Sequence, residues 1–368
     1  MFACKGARAV FACALIALPA LAQDRQAPDH SDASRRTEHN RASATVLPIE
    51  ITARRITSFE RNGDARRRYG RLEFRGGLVL DSLEPAFGGL SGLALDPDGR
   101  RFAMVSDETG WLSGEIVYEA DAPVGIRNAR MGPFRAIAGR TLDRKRDLDA
   151  ESMALIEGTL ARGLLLIGFE RNHRIGVFPI VDGIIQAPTG YLKLPTEARR
   201  MHRNKGFEGV AVLGGGPHKG SPIAFSERFP GNPALHTGWI WVKGEPQRVA
   251  ITSIDDFEIT DIASLADGGL IVLERRFRWS EWMQGVKMRL RKFSADEIRP
   301  GATSAGEILL ESDLSREIDN MEGVAVHRGN RGETVLTLIS DNNFRSFLQR
   351  TLLLQFTLHD FPARAAAP

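Results

Sequence analysis

Short apolar runs broken by Gly, Pro, Asp and Asn make up most of this chain, and no long segment keeps a helical period. Two such runs form a unit. In Asn204-Lys205-Gly206-Phe207-Glu208-Gly209-Val210-Ala211-Val212, a Glu-Gly step opens an alternation of small and branched residues. In Ile223-Ala224-Phe225-Ser226-Glu227-Arg228-Phe229, an apolar run stops at an acid followed by arginine. Gly214-Gly215-Gly216-Pro217 lies between them and reads as a loop. The pattern predicts neighbouring antiparallel strands, with one carboxylate starting the first and another ending the second. Antiparallel pairing brings both to the same end of a sheet.

The unit recurs as Leu90 to Leu95 with Phe102 to Glu108, as Glu151 to Leu155 with Leu164 to Arg171, as Asp261 to Leu265 with Leu270 to Arg276, and as Glu322 to Val326 with Val335 to Asn343. Counting from Ser91, Glu151, Glu208, Asp261 and Glu322 gives steps of 60, 57, 53 and 61 residues. Such steps suit four-stranded blades with generous loops, slightly longer than the usual propeller period of about 40 to 50. Leu47 to Ile51, Gly70 to Arg75 and Leu78 to Leu80 precede the first copy and are expected to form most of another blade. Leu352 to Leu358 would close it, leaving no exposed edge. The expected fold is all-β, a β-propeller closed by N- and C-terminal strands, with five or six blades on the residues alone. Glu281 to Arg291 is read as an outer strand in preference to a helix.

Lys5 and Arg8 precede the apolar run Ala9 to Leu18, and Ala20-Leu21-Ala22 offers small residues for cleavage, so residues 1–22 are expected to be a signal peptide. The run is shorter than the roughly 20 residues of a spanning helix. It also continues past Cys13, a poor match for lipid modification. The mature protein is then periplasmic or secreted, without a stable membrane anchor. Removal takes Cys4 and Cys13, the only cysteines, and with them any disulfide or thiolate chemistry. It also removes two positive charges, lowering the formal net charge from +3 to +1, which gives no basis for a nucleic-acid partner. Residues 23–45 are too polar to bury a core and read as a disordered leader. Residues 46–362 form the propeller domain and 363–368 a tail. Arginines between Arg54 and Arg75 alternate with Glu60, Asp64 and Glu73, as on a solvated surface.

The runs Asp149-Ala150-Glu151-Ser152, Asn204 to Gly209, Leu273 to Phe277 and Asn320-Met321-Glu322-Gly323 resemble the exported phytase-like β-propeller family of bacteria. So do Ser340-Asp341-Asn342-Asn343-Phe344 and Gln349 to Leu353. The resemblance covers nearly the whole mature chain. It implies six blades and, loosely, calcium-dependent hydrolysis of phosphate esters.

In a propeller the ends of successive inner strands meet around the mouth of a central channel. Glu151, Glu208, Asp261 and Glu322 are expected there, with Asp107, Glu170, Glu227, Glu274 and Asp341 from the neighbouring strands. Arg171, Arg228, Arg275 and Arg276 accompany them, and Lys205 and Arg345 join. Crowded carboxylates repel unless cations intervene. Calcium, taking hard oxygen ligands, suits Glu151, Glu208, Glu322, Asp341, Asn342 and Glu274, with Asn343 nearby. Catalysis would then fall to Glu208, Glu227 and Glu170, with Lys205, Arg228, Arg171 and Arg275 stabilising an anionic small-molecule substrate. Alternatively, arginines pair the acids off and the ring is structural. Three functions are open: a phosphoric-ester hydrolase, a lactonase or sugar-ester hydrolase, and a non-enzymatic propeller that binds a ligand or protein.

Other motifs are weaker. Asp96-Pro97-Asp98-Gly99 reads as a turn rather than a calcium loop, and Gly214 to Ser221 lacks the order of a phosphate loop. No Gly-x-Ser-x-Gly elbow exists. The histidines lack the close spacing of a transition-metal site, and His173 alone is near enough in sequence to reach the mouth. Trp279 and Trp282 would pack between blades or line the rim.

Overall fold

A computed structural model describes residues 45–277, 285–345 and 347–359. The expected signal peptide, nearly all of the leader, Trp279, Trp282 and the tail lie outside the described residues.

Five sheets, antiparallel but for one short outer strand, follow one another around the chain. Their first strands are Leu90–Leu95, Ala150–Gly158, Phe207–Val212, Glu258–Ser264 and Asn320–Arg328, and each pairs with the strand that follows it. These five strands touch one another in a closed cycle, so they are the inner strands of blades I to V. Val286–Phe293, overlapping the stretch Glu281 to Arg291 read as an outer strand, is the third strand of blade IV.

The N-terminal strands do not build a sixth blade. Leu72–Asp81 pairs along its length with the C-terminal strand Thr351–Leu358, and Thr52–Ile56 covers its other edge, so both complete blade V. Leu47–Pro48 is added to the outer edge of blade I. The chain therefore closes by threading both termini through neighbouring sheets, as expected, but the ring holds five blades and not six. Asp96 to Gly99 is a turn, closed by the Gly99 N–H donating to the Asp96 carbonyl.

A repeated size difference explains the ring's closure. Each inner strand presents a small residue to the next blade: Ala94, Ala154, Ala211, Ala263 and Ala325. Each of these packs with a larger residue of the following inner strand, respectively Met153, Val210, Ile262, Val324 and Leu93. Two residues before each alanine stand Gly92, Ser152, Gly209, Asp261 and Gly323, on the same side. Small side chains are needed there because neighbouring inner strands converge toward the axis. Around the axis, branched and alanine side chains of all five strands line a cavity of about 120 Å³.

Gly92 faces backbone alone. A methyl group there would stand 2.8 Å from Ser152 Cα and 2.9 Å from Met153 N, whereas at Gly209 it would meet the Ile262 side chain at 3.0 Å. Backbone cannot move aside as a side chain can, and overpacking costs about 1 to 3 kcal/mol. We expect Gly92→Ala to lower the urea unfolding free energy more than Gly209→Ala does. Parental stability in Gly92→Ala would contradict this packing.

Candidate functional site

Every inner strand carries a β-bulge at the same place. One residue is left without a partner on the second strand, and in blades I to V it is Ser91, Glu151, Glu208, Thr260 and Glu322. A bulge sharpens the local twist and re-aims its extra side chain, so these five residues form one tier at the channel mouth. The second strands end in another tier, which reads Asp107, Glu170, Glu227, Arg275 and Asp341 by register. The residues two places before each bulge make a third: Gly89, Asp149, Gly206, Glu258 and Asn320.

Two expected members of the ring lie elsewhere. Asp261 is one residue beyond the bulge, in the small-residue position that faces the next blade. It is fully buried, and its carboxylate accepts the N–H groups of Ile262 and Val324 at 2.8 Å each, tying blade IV to blade V. Glu274 is also fully buried, one residue short of the tier, and is held by the buried guanidinium of Arg291, with Nε 3.0 Å from Oε2. Glu274 is therefore an internal ion pair of blade IV, and Arg275 takes the mouth position. Arg276 lies by Phe257 and the Asp255 carbonyl, away from the cluster.

The seams between blades differ in charge. Each second-strand end stands beside the next blade's bulge. At the IV–V seam this places Arg275 on Glu322, whose carboxylate also accepts an Asn320 side-chain N–H at 2.7 Å. At the V–I seam the Asp341 carboxylate accepts the backbone N–H groups of Leu90 and Asn343. Asn342 is buried and accepts the Phe344 N–H at 3.1 Å, while Asn343 bonds Gln349 at 3.1 Å, so both asparagines organise their own loop. The first of these seams is neutralised by arginine, and at the second the acid is held by backbone N–H groups.

At the I–II and II–III junctions, acid faces acid. Asp107, Asp149 and Glu151 bring carboxylate oxygens within 4.8 Å of one another across the I–II seam, and Glu170, Glu208 and Glu227 do the same across the II–III seam. Lys145, on the helical turn Lys145–Leu148, places its ammonium 2.7 Å from Asp107 Oδ2 and 2.7 Å from Asp149 Oδ1, and Arg171 holds the other Asp149 oxygen. Lys205 is 2.5 Å from Glu227 and 3.6 Å from Glu258, which Arg228 also meets at 2.6 Å. Asp149, Lys145 and Glu258 were not singled out in the sequence, because their place depends on the register of strands they precede.

Burial and then mutual repulsion push these acids upward. Glu151 and Glu208 lie well above the usual carboxylate range, burial acting first, with Glu208 the strongest repelling neighbour of Glu151, and Glu227 and Glu170 those of Glu208. Burial likewise raises Asp107 to about 6 and Glu170, Glu227 and Asp341 to about 7. The half-buried His173 points elsewhere, bonding the His202 carbonyl at 3.1 Å. A larger groove of about 750 Å³ lies at the opposite strand ends. Within it Arg75 pairs with Asp121 and Glu333, and His359 with Glu73.

The phytase-like family model, described as esterase-like activity of phytase, matches residues 85–344, well over half of the chain. The chain belongs to the phytase-like family. No curated protein matches it. Among solved structures it is similar to an endo-arabinase from Bacteroides thetaiotaomicron, at 11% identity and TM-score 0.42, covering 75% of this chain and 95% of that one. A nidogen/laminin complex gives 12% identity and TM-score 0.34, covering 73% and 87%. Raptor from Chaetomium thermophilum gives 12% and 0.35, covering 76% of this chain but only 21% of Raptor's. Likeness at this level carries no argument about activity.

The raised acids fix a pH dependence. Between their unfolded values near 4 and folded values near 7, the folded state holds more protons than the unfolded, so stability falls as pH rises. His236 and His327, pushed down to about 4 chiefly by burial, act oppositely, but only below the ordinary histidine value of about 6.5. In chelator, melting temperature should therefore decline from pH 6.5 to 8, and Glu208→Gln should flatten the decline. A rise over that range would contradict the electrostatics described.

Proposed function

We propose that this chain is an exported, calcium-dependent hydrolase of phosphoric esters working at the acidic mouth. The observation carrying this reading is that two adjacent seams set acid against acid, while the same molecule neutralises the equivalent seam with Arg275 on Glu322. A purely structural ring would gain nothing from the unneutralised arrangement. The phytase-like family and the propeller fold support a hydrolase. No helix among the described residues is long and apolar enough to cross a membrane.

The residues fit calcium. All candidate donors are hard oxygens, and mutual separations within 4.8 Å suit an ion with ligands at about 2.3 to 2.6 Å. Asp107 Oδ1 is buried without a hydrogen-bond partner. Glu170, Glu208 and Glu227 would hold the ion most directly. When bound, calcium neutralises phosphate oxygens and lowers the pKa of a coordinated water. The chain's own part is to aim and to select. Lys205 and the exposed guanidinium of Arg228 flank the triad and meet a substrate's remaining negative charge. Without a cation, the carboxylates repel any phosphate dianion, so substrate binding itself depends on the metal.

Calcium at about a hundred times its dissociation constant should stabilise the mature chain by about 2.7 kcal/mol. Glu208→Gln and Glu227→Gln should lose that thermal shift together with hydrolysis of phosphomonoesters. The same assay run on lactones and sugar esters decides the substrate class. A chain whose melting is indifferent to calcium, with both variants melting far below the parent, would mean that the ring is structural and the propeller a binding module.

A further inference from the structure

The two acid triads are not equivalent. In the first, one ammonium lies 2.7 Å from oxygens of two different acids, Asp107 and Asp149, and 3.8 Å from Glu108. That is where an ion bridging the I–II seam would sit. Arg171 takes the second Asp149 oxygen, so two fixed cations face three carboxylates. The lysine is also anchored. Its helical turn buries Leu148 in the core of blade II beside Phe134 and Phe169. Asn172 and Arg174 bond the side chain and carbonyl of Asp147 in the same turn. In the second triad, Lys205 contacts Glu227 alone and is shared with Glu258, while no ion pair reaches Glu170 or Glu208 among the described residues. Two carboxyl groups there meet no cation, and one divalent ion would balance both once they give up their protons.

We propose that Lys145 is a built-in cation occupying the first triad, so that the chain takes up a single exchangeable divalent ion, at Glu170, Glu208 and Glu227. Removing Lys145 opens a second site. The inference rests on the calcium reading but concerns stoichiometry, which can fail separately. The hydroxyl-free oxygen donors left behind, Asp107, Asp149 and Glu151, keep the hard-ligand chemistry that calcium requires.

The test is calorimetric titration of the mature chain with calcium chloride, beside Lys145→Ala, Lys145→Gln and Lys145→Arg, with circular dichroism to check folding. One ion is expected for the parent and for Lys145→Arg, and two for Lys145→Ala. Lys145→Gln carries the same expectation of two should the alanine variant not fold. Glu208→Gln in the Lys145→Ala background should return the count to one. Two ions in the parent, or one in both neutral variants, would overturn the role of Lys145 and leave the calcium reading intact. No binding by the parent would remove the calcium reading, and this inference with it.

Discussion

Convergence of five inner strands on one axis is the constraint from which the rest follows. Neighbouring strands can approach only where one offers Ala or Gly and the other a branched or longer side chain, and this alternation runs around the ring without interruption. The same crowding leaves no room for regular pairing at the strand starts. Each strand there sheds one residue as a bulge, and the shed side chains meet at the mouth. Packing thus determines where charge accumulates. Chemistry then depends on which residues fill the positions.

The mouth combines two solutions to one geometric problem. On blades IV, V and I, charges are met by arginine, asparagine or backbone N–H groups, and the ring works as a fastening. On blades I, II and III, acids are gathered against acids and partly offset by lysine. A fold that can close its ring the first way has no structural need for the second. The dense half also spans three consecutive blades, so an ion held there would couple their relative positions to its own occupancy.

Much of this was legible in the sequence. The pairing of each inner strand with its follower, the closure by Leu352 to Leu358, and the gathering of Glu151, Glu208, Glu170 and Glu227 all come from apolar runs ending in acids. Six blades came from the family resemblance and from reading the N-terminal strands as most of another blade, whereas the five clear copies match the structure. Asp261 and Glu274 each stand one residue away from the mouth positions, because in blade IV the most conspicuous acid does not mark the bulge or the strand end. Counting back three from the repeated alanine would have selected Thr260, since Ala263 follows Asp261 by two residues and Ala211 follows Glu208 by three. Lys145 and Asp149 were beyond reach, since their partner Asp107 belongs to the preceding blade.

The central claim is that burial and crowding make Glu170, Glu208 and Glu227 of the II–III seam hold protons near neutrality, and that a cation bound there displaces those protons. Ligands must lose protons to bind metal, so proton release on adding calcium tests it most directly. Titration in buffers of different ionisation enthalpy at pH 6.5 should show release of at least about one proton per ion, diminishing toward pH 9. Calcium binding without proton release at either pH would contradict the account.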